Sequence, residues 1–146
     1  MKNVRWGLSV LLAVFLVFMG SQKLGAANPV FSYIAEMSGI GLFEPVIRTL
    51  VGLAEMAAAI LVLLAAFSGR FRGVGALVST GILAGALGFH LSPWLGINAP
   101  VAFTADGGYE FSPMLFGMAV AFFLISLVLV WLDREALMRV GHRQSD

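Results

Sequence analysis

The distribution of charge along the chain constrains its fold more than any motif does. From Trp6 to Gln22 there is no Asp, Glu, Lys or Arg, and from Gly73 to Ala105 there is again none. Between Thr49 and Gly69 only Glu55 interrupts the pattern, and the last uncharged run is Phe111 to Leu132. A helix needs about 20 apolar residues to cross about 30 Å of hydrocarbon, at about 1.5 Å per residue. Each run is long enough for one crossing. The third contains Pro93, Asn98 and Pro100, so its helix is expected to stop near Leu91. The pattern predicts an all-α integral membrane four-helix bundle, one domain over 1–146, with spans at 7–24, 46–67, 74–91 and 113–132.

Composition agrees. Hydrophobic residues make up 60% of the chain and charged residues 12%, with a mean hydropathy of +0.94. Soluble chains run about 45–50% apolar and about 25% charged. The balance excludes a disordered chain, a nucleic-acid-binding module and a disulfide-stapled secreted scaffold, and leaves the lipid bilayer as the first partner. With no cysteine, thiol catalysis, zinc–thiolate sites and iron–sulfur clusters are excluded too.

Orientation follows from the basic residues. Lys2 and Arg5 precede the first span, Arg70 and Arg72 occupy the turn after the second, and Arg134, Arg139 and Arg143 follow the fourth. These are seven of the nine Lys and Arg, and only Lys23 and Arg48 fall on the other side. Both termini are therefore expected in the cytoplasm. Trp6, Trp94 and Trp131 all fall at span ends, where interfacial indoles belong. A cleaved signal peptide ending near Gly25-Ala26-Ala27 is the competing reading of the first span. Its apolar run is longer than such leaders usually have.

The outer connections are the longer ones. Asn28-Pro29 reads as a helix cap followed by proline at the first helical position. Val30, Ile34 and Met37 follow at helical spacing, and Gly39 is a stop, so 29–37 is expected as a short amphipathic helix at the outer interface. Two short alternating runs around Asp106-Gly107-Gly108 look like a small hairpin. In the third span Gly81, Gly85 and Gly88 suggest a small-residue face for close helix contact. Gly81-x-x-x-Gly85 is read as intramolecular packing, with a homo-oligomer interface as the alternative.

An ionisable residue inside a bilayer helix is a functional hypothesis by default. Glu55 lies seven residues beyond Arg48, about 10 Å deeper on nearly the same face, in a stripe with Glu44 and Gly52. Lys23 lies seventeen residues from Trp6, and His90 seventeen from Gly73. Both helices start on the inner side, so both side chains end about 26 Å up, near the outer boundary. Arg48 reaches that level from the opposite direction. Spacing and alternating direction thus bring Lys23, Arg48 and His90 to one layer, with Glu55 about two turns below and Gln22 alongside. Such a group can hold an anionic or carbonyl-bearing ligand, such as a quinone head, or can simply lock the helices. Its bland form has Lys23 and Arg48 snorkelling, His90 capping its helix, and Glu55 partnered inside the bundle.

Other chemistries are set aside. His90 and His142 fall on opposite sides and cannot share a metal or haem, so no metal or covalent cofactor is expected. Glu36, Glu44, Asp106 and Glu110 lack calcium-loop spacing, and no nucleophile elbow or phosphate loop is present. The twelve Phe and seven Met are read as lipid-facing or core residues rather than a cofactor box.

The run Phe18-Met19-Gly20-Ser21-Gln22-Lys23-Leu24 resembles the Gly-x-x-Lys signature of the DoxX family. Val51-Gly52-Leu53-Ala54-Glu55-Met56-Ala57-Ala58-Ala59-Ile60-Leu61 is similar to that family's second span, which carries a glutamate among small and aliphatic residues. Ser68-Gly69-Arg70 matches its basic inner turn, and His90 stands where many members carry a histidine. The resemblance covers all four spans, and Lys23, Glu55, Arg70 and His90 are the matched positions. The Asp106-Gly107-Gly108 loop departs from the family, whose members vary there.

What the resemblance implies is a small prokaryotic four-helix membrane protein associated with membrane redox complexes, the family name coming from a subunit of a thiosulfate:quinone oxidoreductase. It implies an accessory subunit of a quinone-linked system, with redox-complex subunits as partners and quinone as the ligand. The candidate ligand-binding residues are Lys23, Arg48, Glu55 and His90; no catalytic residue is carried over. A non-enzymatic scaffold or assembly factor is the alternative. A transporter fits less well, since no helix shows the broken midplane pattern.

Overall fold

A computed structural model describes residues 2–142, with side chains described through Met138. Arg143, counted above with the basic residues after the last span, lies outside the described residues. In chain order the elements are α1 (Lys2–Lys23), α2 (Pro29–Ser38), a 3-10 turn (Gly41–Phe43), α3 (Val46–Ser68), α4 (Val74–His90), β1 (Ala99–Phe103), β2 (Tyr109–Ser112), α5 (Met114–Leu132) and α6 (Arg134–His142). The helices α1, α3 and α5 are long and apolar enough to cross a bilayer; α4 is apolar and shorter, at 17 residues. The expected spans match these four to within a residue or two, save at the N-terminus. There α1 starts at Lys2 rather than at residue 7, because nothing in Lys2–Arg5 breaks a helix and Arg5 is anchored. Its guanidinium donates to Asp133 Oδ2 at 3.5 Å and to the Ala65 carbonyl at 3.4 Å.

Helix ends follow the sequence chemistry. Asn28 Oδ1 accepts from the amides of Val30 (3.1 Å) and Phe31 (3.4 Å), Pro29 opens α2, and Gly39 closes it in the left-handed region at φ 71°. The α3–α4 turn reverses the chain through Gly69 (φ 70°), Phe71 (φ 56°) and Gly73 (φ 81°). An added Cβ at Gly73 would meet Leu137 of α6 at 2.5 Å, so this glycine also admits α6 beneath the turn.

The strands pair antiparallel, Ala99 opposite Ser112 and Phe103 opposite Tyr109, with a register shift between Pro100 and Ala102. Two strands alone are marginal in water. Here α2 packs against β1, and Phe31, Ile34, Phe43, Leu95 and Ala99 form a small core beneath the hairpin. Tyr109 donates to Glu36 Oε1 of α2 at 2.6 Å. Partial burial, with that bond and the nearby carboxylate charge, pushes its phenol up to about 12. At the hairpin tip the Thr104 hydroxyl donates to Asp106 and holds that carboxyl below its ordinary range.

Around the bundle, α1 packs on α3, α3 on α4, α4 on α5, and α5 returns to α1 through a smaller contact. The main core contains Leu12, Leu16, Ala58, Ala59, Val62, Leu83 and Leu129. Thr80 Oγ1 donates to Ser126 Oγ at 2.9 Å and ties α4 to α5. At the end carrying the termini, buried Asp133 accepts from Arg5 of α1 and from Arg72 Nη2 at 2.9 Å. One carboxylate thereby joins α1, the α3–α4 turn and the end of α5.

The small-residue contacts fall elsewhere than expected. A Cβ added at Gly81, Gly85 or Gly88 meets nothing within 4 Å, so this face of α4 touches no other helix closely. Close approach occurs at Gly75, where a Cβ would stand 2.5 Å from the Val62 amide nitrogen, and at the Gly20–Gly52 crossing of α1 and α3. A Cβ at Gly20 would lie 3.0 Å from the Gly52 carbonyl oxygen. The spacing of glycines was right for a helix interface; their rotation about the axis was not, since α4 is apolar all round and leaves its facing undetermined.

Candidate functional site

The Gly20–Gly52 crossing sets the site. By bringing α1 and α3 together it places the Lys23 ammonium on Glu55, two turns into α3. Lys23 Nζ donates to both Glu55 oxygens at 2.9 Å and to the Met19 carbonyl at 3.2 Å. An ammonium has three donors. All three are engaged, and the pair is buried.

Arg48 does different work. Its Nε donates to Glu44 Oε1 at 2.6 Å, in the turn just before α3. Its Nη1 donates to the carbonyls of Lys23 and Gly25, the latter at 2.7 Å, and Nη2 to Ala26 at 3.4 Å. Helix C-termini leave carbonyls unpaired and carry partial negative charge. Arg48 therefore caps α1 rather than reaching Glu55. Of the four candidate residues it alone does not line the cavity described next.

That cavity, of about 450 Å³, occupies the hairpin half of the bundle between α1, α3, α4 and α5. Its walls are apolar, built from side chains such as Phe15, Phe18, Ile82, Phe89 and Met118. Its polar groups are Gln22, Lys23, Asn28, Glu55 and His90. Gly81 and Gly85 line it too, so the open face of α4 is a cavity wall. Val30, Phe31, Ile34, Pro100 and Val101, from α2 and β1, close the hairpin end. Phe15 and Phe122 stack with centroids 3.7 Å apart and join α1 to α5. Among its lining residues Phe18 (54% exposed) and Gln22 of α1, Ala54 of α3, Gly81 and Gly85 of α4 and Met114 of α5 (57% exposed) are exposed, so the cavity is not closed off from outside.

His90 ends α4, buried, with Nδ1 3.0 Å from the Gly96 carbonyl oxygen and Phe116 edge-on at 5.6 Å. The layer inferred from spacing therefore holds in part: Lys23, Glu55 and His90 share one cavity, while Arg48 stands behind it. Among the described residues no three His, Asp or Glu side chains converge as a metal site.

Sequence reasoning missed Asn28 as a cavity residue, reading it only as a cap, although it stands just beyond the end of α1. The Phe and Met residues expected to be mostly lipid-facing or core include Phe15 of the main core and Met19 and Met118 packed against it, which together with Phe18 also line the cavity. The signal was present: residues 15, 18, 19 and 22 form one helical stripe that ends in a glutamine. Comparison with protein-family models, curated proteins and solved structures returns no significant match to this chain.

Proposed function

We propose that this chain is a DoxX-like four-span protein of the prokaryotic inner membrane, with both termini cytoplasmic, that serves as an accessory subunit of a quinone-linked redox system. The observation that supports this reading is the cavity, apolar along its walls and polar at a group of side chains from α1, α3, α4 and the α2 cap. Ligand sites are typically concave, about 300–1,000 Å³, mostly apolar, with a few placed polar groups. A ring head with an isoprenoid tail suits that description, the tail leaving between Phe18 and Met114. A quinone would supply two-electron, two-proton chemistry. The residues here would orient its head, with the amide hydrogens of Asn28 and Gln22 as donors to carbonyl oxygen and the capped end excluding water.

The test uses the open face of α4. Gly81 and Gly85 can each accept a side chain without displacing any neighbour, because a Cβ there has no contact within 4 Å. In purified protein, Gly85→Leu should fold and melt like the parent while a short-chain quinone binds at least tenfold more weakly. A parent that binds neither quinone nor quinol, or a filled variant that binds equally well, removes the ligand reading.

One observation favours the alternative, a non-enzymatic scaffold or assembly factor. Lys23 and Glu55 satisfy each other and Arg48 is consumed by capping, so the charged groups are all occupied in holding α1 against α3. A quinone-silent parent whose partner proteins are lost on Lys23→Met would support that reading.

A further inference from the structure

The hydrogen-bond roles around the cavity specify the head group more narrowly than its size does. Lys23 has no free donor, and its charge is balanced by Glu55 at 2.9 Å, so the polar end carries no free cation. It offers nothing to favour an anion over a neutral ligand. The remaining polar atoms are fixed by their protein partners. The Gly96 carbonyl can only accept, so the hydrogen in its 3.0 Å contact with His90 belongs to Nδ1. In the neutral imidazole the other ring nitrogen, Nε2, then carries a lone pair and must be an acceptor. No hydrogen bond to Nε2 is formed among the described residues, and it is not among the fully buried atoms that lack a partner. Nε2 is thus not sealed off by protein, and the ring that carries it lines the cavity. Asn28 is fixed in the same way. Its Oδ1 accepts from two α2 amides, which leaves its NH2 group as a donor.

We infer that the cavity takes a neutral amphiphile whose head carries a hydroxyl, with that hydroxyl donating to His90 Nε2. A hydroxyl is the small neutral group that supplies such a donor. A quinone carbonyl can only accept and would leave Nε2 without a partner. The inference rests on the ligand reading above and narrows it. In a quinone-linked system the favoured form is the reduced, hydroxyl-bearing quinol, and His90 is placed to receive its proton. Leaving an acceptor unpaired in an apolar site is costly, which is how such sites reject close analogues lacking the donor.

The test uses three probes with the same ten-carbon chain: 4-decylphenol, its O-methyl ether, and decylbenzoquinone. Binding to the full-length protein is measured calorimetrically in detergent at pH 8, where histidine is neutral. The phenol should bind about tenfold more tightly than its ether and than the quinone. His90→Phe should bring phenol and ether to within about twofold of each other, with the ether little changed. If all three probes bind equally, or the quinone binds best, the hydroxyl assignment is overturned while the ligand cavity stands. If none binds, the cavity reading itself falls.

Discussion

An ammonium group held by two carboxylate oxygens and a carbonyl has nothing left to offer, and this decides how Lys23 and Glu55 respond to substitution. Removing one partner strands a charge in the bundle, at a cost of about 3–5 kcal/mol, whereas replacing both with apolar side chains is close to neutral. Lys23→Met and Glu55→Gln should therefore each lower the thermal-melt stability strongly, while Lys23→Met with Glu55→Met recovers most of the loss. Strictly additive losses would show that the pair is not coupled. Arg48 stands about two turns away and bonds to carbonyls at the end of α1, that of Lys23 among them. Because Arg48 and Glu55 both bond to Lys23, one at its carbonyl and the other at its ammonium, their losses should be non-additive. Spacing alone brought all three to the same end of the bundle. It did not reveal which cation meets Glu55, because depth says nothing about lateral neighbours.

Elements differ in how much of their geometry the sequence betrays. The α2 helix was legible from Asn28-Pro29 and Gly39, and the hairpin from Asp106-Gly107-Gly108, because these residues act through local backbone chemistry. The span ends were legible from charge. The facing of α4 was not, since an apolar surface all round gives no preferred side, and its glycines were assigned to a contact that Gly75 makes instead. Asp133 was missed for a related reason. A carboxylate just past a span reads as an ordinary interfacial residue until Arg5 and Arg72 are seen to converge on it. The contact between the hairpin and α2 lends itself to a titration. With the Tyr109 phenol raised to about 12, folding favours its protonated form, a contribution fully present below the ordinary tyrosine value near 10 and lost as pH rises through 12. Phenolate absorbance should show a step near pH 12, which Glu36→Gln moves part of the way back toward 10. The remainder belongs to burial, the larger cause. A single step at the ordinary value would mean that the hairpin does not rest on α2 in solution.

For the whole molecule, the asymmetry of basic residues makes a testable statement about orientation. Reporter fusions placed after Arg72 and after Asp146 should both report the cytoplasm, and one placed at Gly107 should report the opposite side. A cytoplasmic signal at Gly107 would overturn the four-span arrangement. The two ends of the bundle are then unlike in purpose. One is drawn shut by Asp133, and the other is roofed by α2 and the hairpin over a chamber that the proposed ligand would enter from the flank. With the bundle in a bilayer, that flank faces acyl chains, so the chamber samples a two-dimensional solvent. Its occupancy depends on a guest's mole fraction among the surrounding lipids, and those lipids are its competitors. Occupancy measured in micelles will fall as detergent dilutes the guest, even when the microscopic affinity is unchanged.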